Sequence, residues 1–289
     1  MSGDRAAWGW CPSVLRPMPL DDGLMVRIRV PGGALTAAQA EGVAGLAERF
    51  GAGFIELTNR ANLQLRGLSE AEHRALVPEL EALGLAAIDK TPSGRVNITQ
   101  SPFRDAEAAG VAVSLAEALA EVGYKALPQK FGFVVDMGAE RVLADVPGDI
   151  RIEGATDGVI VRASGAETGV LTDDPVGTAL SLARWFRDSG LIGADGRGRM
   201  AEHVDSVPAE WRGDARPSPA GRVQTDGPEW LPAEADRLAP DTLRAGLKSG
   251  VTKLRVTPFR ALYLPEVASA GVADNKAGMT SGGLSGNAV

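Results

Sequence analysis

Residues 24–30 end in an apolar–basic alternation, Val26-Arg27-Ile28-Arg29-Val30, and residues 54–66 alternate apolar side chains with arginines and amides. A two-residue period predicts strands buried on one face and polar on the other. Pro31-Gly32-Gly33 ends the first strand, and Thr36, with Gln39 three residues on, opens a helix reaching about Phe50. After the second strand, Ser69 and Glu72 form another capping box. Its helix runs to about Leu83, kinks at Pro78 and stops at Gly84. Strand, helix, strand, helix over roughly 60 residues is half of a ferredoxin-like α+β unit.

A new section begins at Thr91-Pro92. A helix is predicted from Ala106 to Val122, strands at 132–137, 149–153 and 158–163, and a helix over roughly 175–188. Residues 189–222 are rich in Gly, Arg, Pro and Asp and read as a loop or linker. The section 223–265 faintly repeats the first, Thr252 to Leu264 answering Gly53 to Leu65 with a threonine at the same interruption of each strand. Residues 267–289, mostly Ala, Gly, Ser and Asn, bury little and are expected to be disordered.

The chain has 289 residues, 44% of them hydrophobic, enough for about two domains with a real core. The net charge of −7 argues against nucleic acid as the main partner, so an anion site must be a local basic cluster. No apolar run reaches the roughly 18 residues of a membrane span, and the N-terminus has no continuous apolar core of a signal peptide. The expected compartment is the cytoplasm. One cysteine, Cys11, excludes a disulfide within the chain, a four-cysteine cluster and a four-cysteine zinc site.

If 54–66 is a continuous strand, Arg60, Asn62, Gln64 and Arg66 share one face, and Arg27 and Arg29 share a face of the neighbouring strand. Guanidinium forks bind carboxylates in a bidentate way and amides orient polar ligands. The same alternation also describes an ordinary solvated strand face. Arg95 and Lys130 each stand just before a strand, where a charge is commonly structural. His73 and His203 belong to no recognisable catalytic motif. Asp173-Asp174 before Pro175 reads as a helix N-terminal pair favoured by the dipole.

Gly9-Trp10-Cys11-Pro12-Ser13, Asp22 to Arg27, Pro31-Gly32-Gly33 and above all Leu57-Thr58-Asn59-Arg60-Ala61-Asn62-Leu63-Gln64-Leu65-Arg66-Gly67 resemble the opening of the precorrin-3B synthase family. The Thr-Asn-Arg-x-x-x-Gln core is shared with sulfite and nitrite reductases. Arg95-x-Asn97 with Ser101-Pro102, Leu127-Pro128-x-Lys130-Phe131-Gly132-Phe133, and Leu254 to Arg260 follow in the family's order.

The resemblance implies an α+β protein in which ferredoxin-like half-domains flank a nitrite/sulfite-reductase-type α/β domain. The expected divisions are a first half-domain at 8–84, an α/β domain at 90–190, a linker at 191–222, a second, eroded half at 223–265 and a tail at 266–289. It implies an oxidoreductase of cobalamin biosynthesis that hydroxylates precorrin-3A with molecular oxygen. The alternative is a non-enzymatic tetrapyrrole-binding protein or a remnant of a reductase-like enzyme. By similarity, Arg60, Lys130 and Arg95 are catalytic, and Arg27, Arg29, Asn62, Gln64 and Arg66 hold the carboxylated tetrapyrrole.

The family's cofactors are a four-iron four-sulfur cluster and heme-type or other iron. Where the family continues into cluster-binding cysteines and a second α/β domain, this sequence runs into Ala, Gly and Ser and ends at Val289. It therefore reads as truncated before those ligands, and the resemblance implies an electron-donor or cluster-bearing partner chain, with no metal ligand of its own.

Overall fold

The computed structural model describes residues 11–86, 96–120, 124, 126–247 and 251–265. Arg95 and the expected disordered tail lie outside the described residues.

The chain starts with a hairpin of β1 (Met18–Leu20) and β2 (Gly23–Ile28), then a 3-10 turn at Pro31–Gly33. Gly32 and Gly33 both have positive φ, 63° and 65°, which explains the Gly-Gly after the proline. β3 (Ala34–Thr36) leads into α1 (Ala37–Arg49). The predicted capping box is present: Gln39 N donates to Thr36 Oγ1 at 3.2 Å and Thr36 N donates to Gln39 Oε1 at 3.0 Å. β4 (Ile55–Leu57) and β5 (Leu63–Leu68) follow, then α2 (Glu70–Ala82), whose Ser69–Glu72 box is also formed and which carries Pro78 inside it.

The expected continuous strand over 54–66 is two strands joined by a turn. Thr58 Oγ1 accepts from Asn62 N at 3.0 Å, Ala61 N donates to Thr58 O at 3.1 Å, and Ala61 has φ 54°. The threonine hydroxyl competes with the ladder for backbone donors and turns the chain. Arg60 therefore sits at a turn tip and does not share a strand face with Gln64 and Arg66.

The middle section has β6 (Asn97–Gln100), α3 (Ala106–Leu119), β7 (Gly132–Asp136), β8 (Ile150–Ala155), β9 (Gly158–Ala163), β10 (Val170–Leu171) and α4 (Pro175–Asp188). Its sheet runs β10-β9-β8-β7-β6, with β6, β7 and β8 parallel. Asp174 caps α4 by accepting from Gly177 N at 2.9 Å, as the acidic pair before Pro175 suggested. Phe133, Val135, Ile150 and Ile152 face a core with Leu115, Leu182 and Phe186. Residues 200–220, expected as linker, are laid along this section. They form a 3-10 helix (Met200–Ser206), the short α5 (Ala209–Arg212) and isolated bridges to Gly169, Ala155 and Arg141.

The last section has β11 (Trp230–Pro232), β12 (Arg237–Leu238), α6 (Pro240–Leu247), β13 (Lys253–Val256) and β14 (Ala261–Tyr263). It retraces the first with one exchange: β12 pairs with β4, and β3 pairs with β13. The sheets are thus β1-β2-β5-β4-β12 and β11-β14-β13-β3. Leu35, Val43, Leu57 and Leu65 share one apolar cluster with Leu238, Leu243, Leu254 and Leu262, so neither half has a core of its own. The repeat extends to backbone detail. Arg260, opposite Ala61 in the repeat, has φ 57°, and Thr257 Oγ1 accepts from Phe259 N at 3.2 Å.

Candidate functional site: an arginine cluster between two sheets

The polar face of the first sheet meets the starts of β6, β7 and β8. Asn62 Nδ2 donates to Asn97 Oδ1 at 3.0 Å, and Asn97 Nδ2 donates to Thr99 Oγ1 at 2.8 Å. From the turn tip, both Nη atoms of Arg60 donate to Lys130 O, at 3.1 and 3.2 Å. Lys130 is exposed, so its carbonyl is what meets the guanidinium, leaving its ammonium at the surface.

Around Arg60 the structure gathers Arg27, Arg29 and Arg199, with Cys11 and Asp149. Burial lowers the pKa of Arg60, and the charge of Arg199 acts in the same direction. Burial also lowers that of Arg27, with Arg29 and Arg60 adding to it against an opposing contribution from Cys11. The charged forms of these guanidinium groups are thus disfavoured by desolvation and by one another, and an anion among them would relieve both.

The carboxylate in the cluster, Asp149, is fully buried and already committed. Its Oδ1 accepts from Arg199 Nε at 2.9 Å and Met200 N at 3.0 Å, and its Oδ2 accepts from Gly132 N at 3.0 Å. Cys11 N donates to Gln129 Oε1 at 2.8 Å, Cys11 Sγ donates to Gln129 O at 3.7 Å, and the thiol also meets Arg27.

The predicted site residues divide. Arg27, Arg29, Arg60 and Asn62 come together, with the Lys130 backbone beside them. Arg66 lies at the far end of its strand in a two-point pair with Asp22, at 2.7 and 3.1 Å, and a further pair with Glu56 at 3.1 Å. That pairing holds the Asp22 carboxyl below its ordinary range. Gln64 is buried between, its amide donating to Glu56 at 3.2 Å and accepting from Arg27 at 2.9 and 3.1 Å. Arg199 and Asp149 escaped the sequence reading. Arg199 sits in an aperiodic Gly- and Arg-rich stretch, and the one available signal for Asp149 was an acid opening a buried strand after Pro147-Gly148.

Among the described residues no three His, Cys, Asp or Glu side chains group to hold a metal ion. The single cysteine of the chain does not fit a cluster that takes four thiolates. No helix among the described residues is long and apolar enough to cross a membrane.

Residues 16–83 match the nitrite/sulfite reductase ferredoxin-like half domain. A precorrin-3B synthase of Sinorhizobium sp is 40% identical over 152 residues, covering 50% of this chain and 32% of that protein. A ferredoxin–nitrite reductase of Synechococcus elongatus is 26% identical over 216 residues, covering 65% and 41%. The solved structure of the NirA protein of Mycobacterium tuberculosis superposes with a TM-score of 0.62 at 16% identity, over 92% of this chain and 57% of that one, which establishes the fold. The chain thus spans well under half the length of these curated relatives. Residues 16–83 thus carry a nitrite/sulfite reductase ferredoxin-like half domain, and half of the chain is similar to part of a precorrin-3B synthase.

Proposed function

We propose that this chain supplies the tetrapyrrole-binding part of a precorrin-3B synthase-like oxidoreductase, with precorrin-3A as its substrate in cobalamin biosynthesis. The observation that carries the reading is the set of Arg60 with Arg27, Arg29 and Arg199, in which burial disfavours the charge of Arg27 and Arg60, beside a carboxylate, Asp149, that is itself saturated by donors. A macrocycle bearing several carboxylates is a ligand for which such a set is suited. Arg27, Arg29 and Arg60 would bind its carboxylates, Asn62 would orient it through the Asn97 pair, and Lys130, with Arg95 by similarity, would stand at the reacting edge. Gln64 would act by holding Arg27. Arg66, matched by two carboxylates, would act on the ligand only at a distance.

The hydroxylation with molecular oxygen needs electrons, and the residues of this chain do not fit the family's four-iron cluster. A cluster-bearing or electron-donating partner chain, or further sequence of the same protein, would provide that equipment. The cytoplasm is the compartment such a pathway implies.

The test is a titration of the chain with a polycarboxylated porphyrin followed by its visible spectrum. Submicromolar binding that Arg60→Ala weakens by about 1.5–3 kcal/mol, the range of a charged hydrogen bond, supports the reading. A folded protein that does not bind sinks it.

A further inference from the structure

Arg104 and Arg255 stand side by side apart from Arg60, and Arg104 lines a cavity that Arg29 and Asn62 of the Arg60 cluster also line. The cavity, of about 490 Å³, opens between the Val30–Gly33 turn, β6 and α3. One wall is the small-residue face of α3, with Ala112, Ala116 and the capping Ala120, and the exposed Glu117 of that helix also lines the cavity. The other wall is polar, with Arg29, Gln100 and Arg104.

Arg104 donates to Ser101 O at 3.1 Å and to Gly32 O at 2.7 Å. Beside it Arg255 donates to Pro102 O at 2.5 Å and to Arg104 O at 3.0 Å. All of these partners are carbonyls, and among the described residues neither guanidinium forms an ion pair. Burial, and then the charge of Arg255, bring the pKa of Arg104 down to about 10. Two adjacent guanidinium groups, partly out of water and without an acid, are an arrangement that an anion would stabilise.

Gln100 adds a second side-chain donor to this wall. It is only 8% exposed, it lines the cavity, and its amide has no hydrogen-bond partner among the described residues. Its amide atoms are reached by solvent in the cavity, so they are available to a ligand there. Gln100 Nε2 and Arg104 Nη2 also converge. A Cβ built on Gly33 would lie 3.7 Å from the first and 3.8 Å from the second, so two donors face the space that this glycine leaves open.

We propose that this cavity binds a carboxylate carried on an apolar body, with Arg104 and Gln100 donating to the carboxylate and the alanine face of α3 covering the body. The volume lies within the range of small-molecule sites. The carboxylate has two possible sources: an arm of the macrocycle held at Arg60, or a separate small carboxylic acid. The inference deepens the Arg60 reading, since Arg29 and Asn62 line this cavity too, and its macrocycle arm rests on that reading while the separate acid is tested apart from it.

The experiment is calorimetric titration of the full chain with phenylbutyrate and, separately, with a polycarboxylated porphyrin. It compares Arg104→Gln, Ala116→Phe and Arg60→Ala with the unaltered protein. Ala116→Phe fills the cavity from the helix without removing a charge, and urea midpoints check that each variant is folded. Phenylbutyrate binding that falls about tenfold or more in Arg104→Gln and Ala116→Phe, and is unchanged in Arg60→Ala, supports a free carboxylate. If phenylbutyrate does not bind but porphyrin binding falls in Arg104→Gln and Ala116→Phe, the carboxylate is an arm of the macrocycle. If both variants bind both probes like the unaltered protein, or neither probe binds, the proposal is overturned. A loss confined to Arg60→Ala overturns it while leaving the Arg60 cluster intact.

Discussion

Two places in this chain put several arginines around one buried carboxylate, and they differ in how the charges are matched. Behind the middle sheet, Glu153 accepts from Arg151 Nε at 2.7 Å, from Arg162 Nε at 2.5 Å and from Arg141 Nη1 at 3.5 Å. The remaining donors of these arginines reach the carbonyls of Val146, Leu143, Ala166 and Ser218, tying the surrounding loops to the sheet. Burial alone would raise the pKa of Glu153, but its arginines bring it below the ordinary value. Around Asp149 the carboxylate is saturated by Arg199 and two backbone amides, and Arg27 and Arg60 are left desolvated by burial and by one another. In the first place the arginines serve the acid and hold the fold. In the second, under the proposed function, they would receive an anion from outside.

The largest expected effect separates the two by stability. Glu153→Ala leaves buried guanidinium groups without their acid and should cost about 3–5 kcal/mol in urea unfolding. Arg60→Ala relieves repulsion within its cluster and should cost less than about 1 kcal/mol, close to a surface change. Equal losses would break the comparison. Next in size is ligand binding: the roughly 1.5–3 kcal/mol expected for Arg60→Ala should have no counterpart in a folded Arg141→Ala variant, since Arg141 belongs to the Glu153 group.

The third prediction concerns pH. Burial, with Glu153 nearby, raises the Asp136 carboxyl above its ordinary 3.8, against the opposing bond from Leu143 N. The folded protein then holds a proton that the unfolded chain has released, so this group makes stability fall as pH rises from about 3.8 through the folded value. Glu153, lowered from 4.5, acts the other way: its contribution is present above that value and is lost as pH falls through the folded pKa. Asp136→Asn should remove the fall on the alkaline side of 3.8 in urea midpoints taken from acid to neutral pH. An unchanged profile would exclude Asp136 as its source. The smallest effect belongs to Arg66→Ala, a partly exposed pair with Asp22 and Glu56, expected to cost about 0–1 kcal/mol of stability and to leave porphyrin affinity unchanged.

The parts legible in the sequence were those set locally. Both capping boxes need side chains only three residues apart, and Asp174 before Pro175 marks its helix for the same reason. The turn at Thr58–Asn62 was half legible: the threonine interruption shows in both repeats, but alternation on either side of it reads as one strand until the hydroxyl is seen to redirect the backbone. The exchange of β3 and β12 between the sheets is a choice of partner, and strand pattern carries no information on partner. In the site, Arg27, Arg29 and Arg60 stood out by residue type. Of the two acids that match Arg66, Asp22 is 44 residues away, and Arg199 is held by Asp149, which also accepts from Met200 N.

The most direct test of the central claim compares a polycarboxylated porphyrin with its methyl ester in titrations of the same folded protein. Charge recognition by the Arg60 cluster predicts submicromolar binding of the acid, weakened by added salt, and a loss of roughly 1.5 kcal/mol or more on esterification. An ester that binds as tightly as the acid would show that the macrocycle is held by apolar contact, and the arginine cluster would not be its receptor.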